Sequence, residues 1–328
     1  MADEEQKYWV GFDLGGTKMM AEVFDEEFKI LARERKKTKA HEGAEAGLER
    51  IAALIHEALD EADVGLDRLA GIGCGVPGPL DIDKGVLLDL PNLGWQDVRL
   101  KKALEDEFAC PVAVANDVDA GTYGEYRYGA GKGARSVLGV FPGTGIGGGF
   151  VYDGKILRGK RHSCLEIGHC QVVSDGALCG CGRRGCLETV ASRLAVSAAA
   201  AAAAHRGDAP HLLESTGMDI SSIKSGALAD AIAAGDTVIE QIVRDAARWL
   251  GIGIANAVNL LAPDIVVLGG GLVEAMPLLF LEAAGDAAHS RVMPSFETMF
   301  EVRVAELGDD ATALGAAAWA CDSIKKTD

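Results

Sequence analysis

The sequence predicts an α/β protein built from two lobes. Its 328 residues are long for one hydrophobic core and leave room for two. Short apolar runs that end in glycine turns alternate with longer segments of helical periodicity. A unit made of a strand, a glycine turn and a second strand occurs twice, over residues 8–24 and 136–152. Such self-similarity indicates an internal duplication.

The first half contains strands and amphipathic helices in alternation. Leu48, Ile51, Ile55 and Leu59 recur at helical spacing, which predicts one side of a helix facing a core. We predict strands over 8–12, 19–24, 28–35, 69–76 and 112–115, and helices over 45–61, 100–108 and 118–126.

The second half repeats the pattern and then becomes more helical. A strand over 136–141 leads into a glycine turn over 143–149, and a short strand follows over 150–152. A long helix is predicted over 237–261, a buried strand over 265–268 and a closing helix over 312–324. The strand at 265–268 ends in a third run of glycines.

The charge of the chain narrows the class of partner. Lys and Arg number 32 against 49 Asp and Glu, a net charge of −17. Such an acidic protein repels nucleic acid and anionic lipid, so we expect neither as a partner. Residues 1–7 are polar and acidic, unlike a secretory leader, and no run is long enough to span a bilayer. We therefore expect a cytoplasmic protein.

Three glycine turns are candidates for binding phosphate. Glycine lets a phosphate group approach backbone N–H donors without meeting a Cβ atom. One glycine turn by itself usually serves chain geometry, but three at strand ends favour phosphate binding. The assigned residues are Gly15, Gly16, Thr17 and Lys18 in the first turn, Gly143, Thr144 and Gly145 in the second, and Gly269, Gly270 and Gly271 in the third.

Asp13 closes the first strand and is suited to hold Mg²⁺ through water, because that ion prefers oxygen ligands. The turns do not match other nucleotide motifs. No Gly-x-x-x-x-Gly-Lys-Ser/Thr run occurs. The glycines at 145–149 lead into a strand, whereas a dinucleotide fingerprint leads into a helix.

A cysteine cluster predicts a metal site. Five of the eight cysteines fall between residues 164 and 186. Four residues have the spacing of a closed tetrahedral site: His169, Cys179, Cys181 and Cys186. Three thiolates and one imidazole fill the four positions of Zn²⁺, which predicts a structural rather than a catalytic ion. The alternative is a set of unrelated free thiols, and Cys74, Cys110 and Cys321 are expected to be buried apolar residues.

Together these motifs resemble the ROK family of repressors and sugar kinases over nearly the whole chain. The motifs are residues 13–18, Asn116-Asp117, 143–149, Glu166-Ile167-Gly168-His169, and the cysteine motif ending in Leu187-Glu188. The resemblance implies two ribonuclease-H-like lobes of the actin and hexokinase superfamily, with the active site in the cleft between them. It implies a small lobe of residues 1–116 completed by a C-terminal helix at 310–328. It implies that residues 117–309 form the larger lobe, which carries the zinc-binding loop.

The resemblance also implies an ATP-dependent sugar kinase and assigns its residues. Asp117 is implied as the catalytic base, and the residues implied to approach the sugar are Gly78, Asn92, Asn116, Asp117, Glu166, His169 and Glu188. ATP and Mg²⁺ are the implied cofactors, beside structural Zn²⁺. From the sequence alone, Asp117 could equally be the N-cap of a helix, and the two glutamates could be ordinary surface residues.

The implied substrate is a hexose phosphorylated at its 6-hydroxyl, with glucose first. The alternatives are N-acetylmannosamine, N-acetylglucosamine, fructose and allose. The family usually places small residues before its Glu-x-Gly-His motif, but this chain has His162-Ser163-Cys164-Leu165, whose bulk favours an unsubstituted sugar. A sugar-sensing regulator is the rival of another class. With twelve residues before Asp13, we expect no DNA-binding domain. A homodimer or homotetramer is implied.

Overall fold

The fold is that of a computed structural model, which describes residues 6–90, 92–160 and 164–324. The strands in these residues are β1 (Tyr8–Leu14), β2 (Lys18–Phe24), β3 (Ile30–Lys37), β4 (Leu69–Val76), β5 (Leu80–Asp81), β6 (Val86–Leu90), β7 (Trp95–Val98), β8 (Val112–Asn116), β9 (Ser136–Pro142), β10 (Ile146–Tyr152), β11 (Lys155–Ile156), β12 (Ile265–Leu268) and β13 (Glu301–Val304). The helices are α1 (Ala44–Glu61), α2 (Leu100–Phe108), α3 (Asp117–Tyr128), α4 (Glu188–Ala191), α5 (Arg193–His205), α6 (Pro210–Thr216), α7 (Ser225–Ala234), α8 (Thr237–Leu261), α9 (Gly271–Ala275), α10 (Pro277–His289) and α11 (Ala311–Ile324).

Two five-stranded sheets share one topology within the described residues. The first has the order β3-β2-β1-β4-β8 and the second β11-β10-β9-β12-β13. In the first, β1 pairs antiparallel with β2 and parallel with β4, and β4 pairs parallel with β8. In the second, β12 pairs parallel with both β9 and β13. The predicted duplication is therefore confirmed at the level of strand order.

Helix α11 packs closely onto the first sheet because the facing strands carry glycine. A Cβ atom on Gly11 of β1 would lie 2.0 Å from the Ala313 carbonyl oxygen. One on Gly73 of β4 would lie 1.9 Å from the Ala316 carbonyl oxygen. No side chain fits at such distances, so the alanine-rich helix rests directly on the strands. This packing fixes the ends of β1, β4 and β8, where several candidate residues lie.

The structure differs from the sequence prediction in the second glycine turn, and it contains elements that were not predicted. Residues 146–149 belong to strand β10, so the second glycine turn is confined to residues 143–145. The glycines in β10 serve close packing: a Cβ on Gly148 would lie 2.7 Å from the Leu165 carbonyl oxygen. A small sheet of order β5-β6-β7 was not predicted.

The chain divides into two compact units. The first contains residues 1–133, 149–164 and 309–328, and the second contains residues 134–148 and 165–308. The lobes implied with boundaries at 116 and 309 stay a prediction. The buried core of the first unit lies between β1, β4 and α1, and includes Phe12, Ile51 and Ile72. Among the described residues, no helix has the length and apolar character needed to cross a membrane.

Candidate functional site

Strands β1, β4 and β8 bring two acidic residues to one edge of the first sheet. The strands are parallel, and their register aligns Asp13 with Gly75 and Gly75 with Ala115. Asp117 follows two residues later, as the first residue of α3. The carboxyl ends of parallel strands share one edge of a sheet, which is where α/β folds commonly bind ligands. Asp13 and Asp117 thus lie at the edge of the sheet where such folds commonly bind ligands.

The two carboxyl groups interact electrostatically. Burial raises the pKa of Asp13 to about 7, and the charge of Asp117 is the next contribution in the same direction. Asp309 and Glu22 raise the Asp13 pKa further, whereas Arg35 lowers it. Close carboxylates that cannot all ionise cheaply are a common feature of functional sites. A bound cation would supply the missing positive charge.

Asn116, rather than Asp117, is the N-cap of α3. The Asn116 Oδ1 atom accepts hydrogen bonds from the backbone N–H groups of Val118, at 3.0 Å, and Asp119, at 3.3 Å. Asp117 Oδ1 also accepts from the Val118 N–H, at 2.9 Å. The capping role considered for Asp117 is therefore filled by its neighbour. This cap fixes the helix start from which Asp117 projects.

A threonine holds the first glycine turn in place. The Thr38 hydroxyl donates to the Gly15 carbonyl oxygen at 2.7 Å, and the Thr38 N–H donates to the Thr17 carbonyl oxygen at 3.0 Å. The Gly15 N–H donates to the Lys18 carbonyl oxygen at 2.9 Å. A Cβ on Gly15 would lie 2.6 Å from that oxygen, so position 15 requires glycine. Gly16 has open space where a Cβ would be, and Lys18 is exposed.

Two further residues predicted near the sugar lie in the same unit. Gly78 follows β4, and a Cβ there would lie 3.7 Å from the Asn116 side-chain nitrogen. Gly78 therefore borders the start of α3. Asn92 is exposed in the loop between β6 and β7.

The second glycine turn is held by the start of α5. The Gly143 N–H donates to the Gly145 carbonyl oxygen at 2.8 Å. The Arg193 N–H donates to the Gly143 carbonyl oxygen at 2.9 Å, and Arg193 Nη2 donates to Thr144 Oγ1 at 2.7 Å. A cavity of about 220 Å³ opens beside the turn, lined in part by Thr144 and Leu194. A ligand can therefore reach this turn.

The third glycine turn joins β12 to α9. Gly270 has a φ of 81° and is the residue before α9, a conformation that favours glycine. A Cβ on Gly269 would lie 2.7 Å from the Phe141 ring. Since β9 and β12 are parallel and Val140 aligns with Leu268, the second and third turns leave the sheet at the same edge.

The four predicted metal ligands form one cluster. The ligand atoms of His169, Cys179, Cys181 and Cys186 all lie within 4.8 Å of one another. His169 Nδ1 lies 3.6 Å from Cys179 Sγ, and Cys181 Sγ lies 3.7 Å from Cys186 Sγ. Burial raises the pKa of the Cys179 thiol to about 12 and also raises that of Cys186. A cation would therefore be needed to hold these groups as thiolates.

The loop that carries the cluster is shaped by glycine. Gly182 and Gly185 have φ values of 83° and 75°, and a Cβ on Gly185 would lie 1.7 Å from the Val173 carbonyl oxygen. The Cys179 N–H donates to the Arg183 carbonyl oxygen at 2.8 Å. These features close the chain tightly around the thiols. The other cysteines agree with prediction, since Cys74, Cys110 and Cys321 are buried.

Glu188 links this cluster to the second glycine turn. Its Oε2 atom accepts from the Ile146 N–H at 3.2 Å, and its Oε1 atom lies 3.5 Å from Cys179 Sγ. A Cβ on Gly145 would lie 2.3 Å from Oε2. Glu166 has an exposed side chain, and its carbonyl oxygen accepts from the His169 N–H at 2.9 Å. Both glutamates thus lie beside the four candidate metal ligands.

Sequence reasoning missed three of the residues that shape the site. Thr38 lies 23 residues from the turn that it braces, and Arg193 lies 49 residues from Thr144. Asp309 raises the pKa of Asp13 and forms an ion pair with Arg35, in which Asp309 Oδ2 lies 3.0 Å from Arg35 Nη1. None belongs to a local motif.

Of the bulky residues before Glu166, His162 and Ser163 lie outside the described residues, and Leu165 contacts Gly148.

Comparison with known sequences identifies relatives along the whole chain. The sequence profile of the ROK family matches residues 9–323. The chain is 35% identical over 315 residues to the glucokinase of Halalkalibacterium halodurans. That alignment covers 94% of this chain and 93% of the relative.

Comparison with solved structures also identifies members of the ROK family. The ROK hexokinase from Thermus thermophilus superposes with a TM-score of 0.82 at 36% identity, over 97% of this chain and 99% of that one. A ROK family glucokinase from Streptomyces griseus, solved in complex with glucose and AMPPNP, gives a TM-score of 0.82 at 34% identity, with the same coverage. The predicted fold class, with ribonuclease-H-like lobes of the actin and hexokinase type, is confirmed.

Proposed function

Because this chain belongs to the ROK family, we propose that it transfers the terminal phosphate of ATP to the 6-hydroxyl of a hexose, with glucose as the preferred sugar. The observation that carries the proposal is the pair of carboxyl groups, Asp13 and Asp117, at the carboxyl ends of parallel strands. Glucokinases about one-third identical over nearly the full chain support the choice of reaction and sugar.

Asp117 acts as the general base. A sugar hydroxyl is a weak nucleophile, and a carboxylate within hydrogen-bond reach can accept its proton as the phosphoryl group transfers. Capping by Asn116 leaves the Asp117 backbone fixed at the helix start. Asn116 uses Oδ1 for the cap, so its amide group is the part that can donate to a sugar hydroxyl. Gly78, beside that amide, and Asn92 complete this side of the pocket.

Asp13 is the residue that would hold Mg²⁺. Its donor chemistry fits that ion, because the carboxyl oxygens are hard ligands and other carboxylates surround them. When bound with the nucleotide, Mg²⁺ neutralises phosphate charge. Asp13 would then be ionised, because the cation offsets the burial and the neighbouring negative charges that raise its pKa.

The three glycine turns bind the phosphates of ATP. In the first turn Gly15 shapes the backbone, since its N–H is bonded to the Lys18 carbonyl oxygen, and Gly16, the Thr17 hydroxyl and Lys18 are the groups offered to phosphate. The second turn offers the Thr144 hydroxyl. Gly269, Gly270 and Gly271 offer a turn free of side chains. Backbone N–H groups in such turns suit phosphate oxygens because no Cβ atom intervenes.

The metal of the cysteine cluster is a structural Zn²⁺. Two sulfur ligands about 2.3 Å from one tetrahedral ion lie about 3.8 Å apart, and a sulfur and a nitrogen ligand lie about 3.6 Å apart. The cluster distances of 3.7 Å and 3.6 Å fit both values. His169 turns Nδ1 toward the thiols, so Nε2 can contact the sugar. Bound there, the ion would stabilise the loop that carries Glu166 and Glu188, the two residues proposed as sugar ligands.

A kinase for an N-acetylated hexosamine or for fructose is the alternative within the family. A regulator is the alternative of another class, which the acidic charge disfavours. Assembly as a homodimer or homotetramer and a cytoplasmic location remain predictions. Light scattering of the purified chain would test the assembly.

The deciding experiment is a coupled kinase assay over a sugar panel. We expect kcat/KM with ATP and Mg²⁺ to be highest for glucose, because sites built to bond hydroxyls reject analogues that lack them. The panel includes N-acetylglucosamine, N-acetylmannosamine and fructose. A tenfold or larger preference for one of these would overturn the glucose assignment alone. No turnover of any sugar would overturn the kinase assignment.

A further inference from the structure

Arg193 makes two contacts with the second glycine turn. Its backbone N–H donates to the Gly143 carbonyl oxygen at 2.9 Å, and its guanidinium Nη2 donates to Thr144 Oγ1 at 2.7 Å. Arg193 is the first residue of α5, and the hydroxyl of Ser192 caps that helix by accepting from the Ala195 N–H at 3.2 Å. The side chain is therefore held at a defined helix start.

The contact determines how the Thr144 hydroxyl can bond. A threonine hydroxyl has one hydrogen to donate and lone pairs that accept, whereas a guanidinium can only donate. When Arg193 occupies a lone pair of Thr144 Oγ1, the hydroxyl hydrogen remains for a second partner. That partner must be an acceptor. Thr144 is exposed, so a ligand oxygen can take this place.

The charge of Arg193 is also available to an anion. In the part of the chain that the structure describes, Arg193 has no carboxylate partner, and its side-chain bond goes to a neutral hydroxyl. Arg206, just past the other end of α5, instead pairs with Asp208, with Arg206 Nε 2.8 Å from Asp208 Oδ2. The start of a helix carries partial positive charge, which adds to that of Arg193.

We propose that Arg193 is a positioning residue for phosphoryl transfer, which holds the Thr144 hydroxyl as a donor to a nucleotide phosphate. The inference rests on the proposed function, because it takes the second glycine turn as a phosphate site. It adds a residue from outside the glycine motifs. Arg193 also brings positive charge beside that phosphate in a chain of net charge −17.

The test compares Arg193→Ala with the wild type and with Arg206→Ala, a control that removes the same charge beyond the other end of α5. We expect Arg193→Ala to raise the KM for ATP about tenfold, as for loss of one charge-assisted hydrogen bond. The sugar KM and the melting temperature should stay unchanged, because the Gly143 backbone bond does not need the side chain. Arg193→Lys should restore part of the affinity.

A second variant separates positioning from other roles. In a Thr144→Val background the hydroxyl is absent, so Arg193→Ala should raise the ATP KM by less than about threefold. The full effect in that background, or none in the wild-type background, would overturn the inference. Calorimetry with Mg²⁺-ATP keeps the tests distinct: a chain that binds ATP but phosphorylates no sugar refutes the proposed function and still allows the Arg193 comparison.

Discussion

Replacing Asp13 with asparagine should stabilise the metal-free protein at alkaline pH and remove most of its activity. The structure gives Asp13 a raised pKa, because its carboxyl group is buried beside Asp117 and further acidic residues. At pH 8 the ionised carboxylate therefore destabilises the folded state. Asn is close in shape and carries no charge, so Asp13→Asn relieves that cost while losing the group proposed to hold Mg²⁺.

The magnitude follows from the pKa. At about 1.4 kcal/mol for each pKa unit, the rise from 3.8 to about 7 corresponds to at most about 4 kcal/mol. The side chain keeps some access to solvent, so we expect a gain of about 1–2 kcal/mol. In the wild type, the folded state binds the Asp13 proton more tightly than the unfolded state does. The stability that this proton adds is therefore present below pH 4 and is lost as the pH rises through 7.

The assay is urea unfolding of the Mg²⁺-free protein, without EDTA and without nucleotide, at pH 5 and pH 8. The wild type should lose more stability between these values than Asp13→Asn does. Asp60→Asn, an exposed acid on α1, is the control with the same change of charge. Kinase turnover is measured on the same variants in separate samples that contain ATP, Mg²⁺ and glucose. If Asp13→Asn is no more stable than the wild type at pH 8, or keeps wild-type kcat, the reasoning is refuted.

Three further predictions concern the base, the turn and the metal. Asp117→Asn should lower kcat by about 10²–10⁴ with little change in sugar Kd; wild-type kcat would exclude Asp117 as the base. Gly145→Ala should raise the sugar KM, because its Cβ would lie 2.3 Å from Glu188 Oε2. Gly143→Ala, with no atom within 4 Å of its Cβ, should leave the sugar KM unchanged, and equal values for the two variants would contradict this. Metal analysis should find one Zn²⁺ per chain, and chelation should raise the sugar KM before the protein unfolds. Purified protein without zinc and with freely titratable thiols would contradict this.

Local patterns predicted the elements that depend on local chemistry. Three elements have the predicted bounds: the strand over Leu69–Val76 and the helices over Leu100–Phe108 and Thr237–Leu261. Apolar periodicity determines the type of each element, and flanking breakers determine its ends. The metal cluster was also predictable, since its four ligands fall within 18 residues of sequence, 169–186.

Contacts between distant residues were not predictable in the same way. The glycines at 147–149 suggested a turn, but they belong to a strand onto which Leu165 packs closely. Thr38 and Arg193 brace turns 23 and 49 residues away, and nothing in their own neighbourhood signals this. The Asp13 pKa likewise depends on Asp309, which only the folded chain brings near.

Glu188 has a consequence for attempts to change the sugar that this chain accepts. One of its oxygens receives the Ile146 N–H and the other lies against Cys179 Sγ. Glu188→Asp, one methylene shorter, could not reach both, so a library that varies position 188 would sacrifice expression and metal content together with selectivity. Directed evolution of sugar preference is better aimed at an exposed position such as Asn92, which is also proposed to approach the sugar.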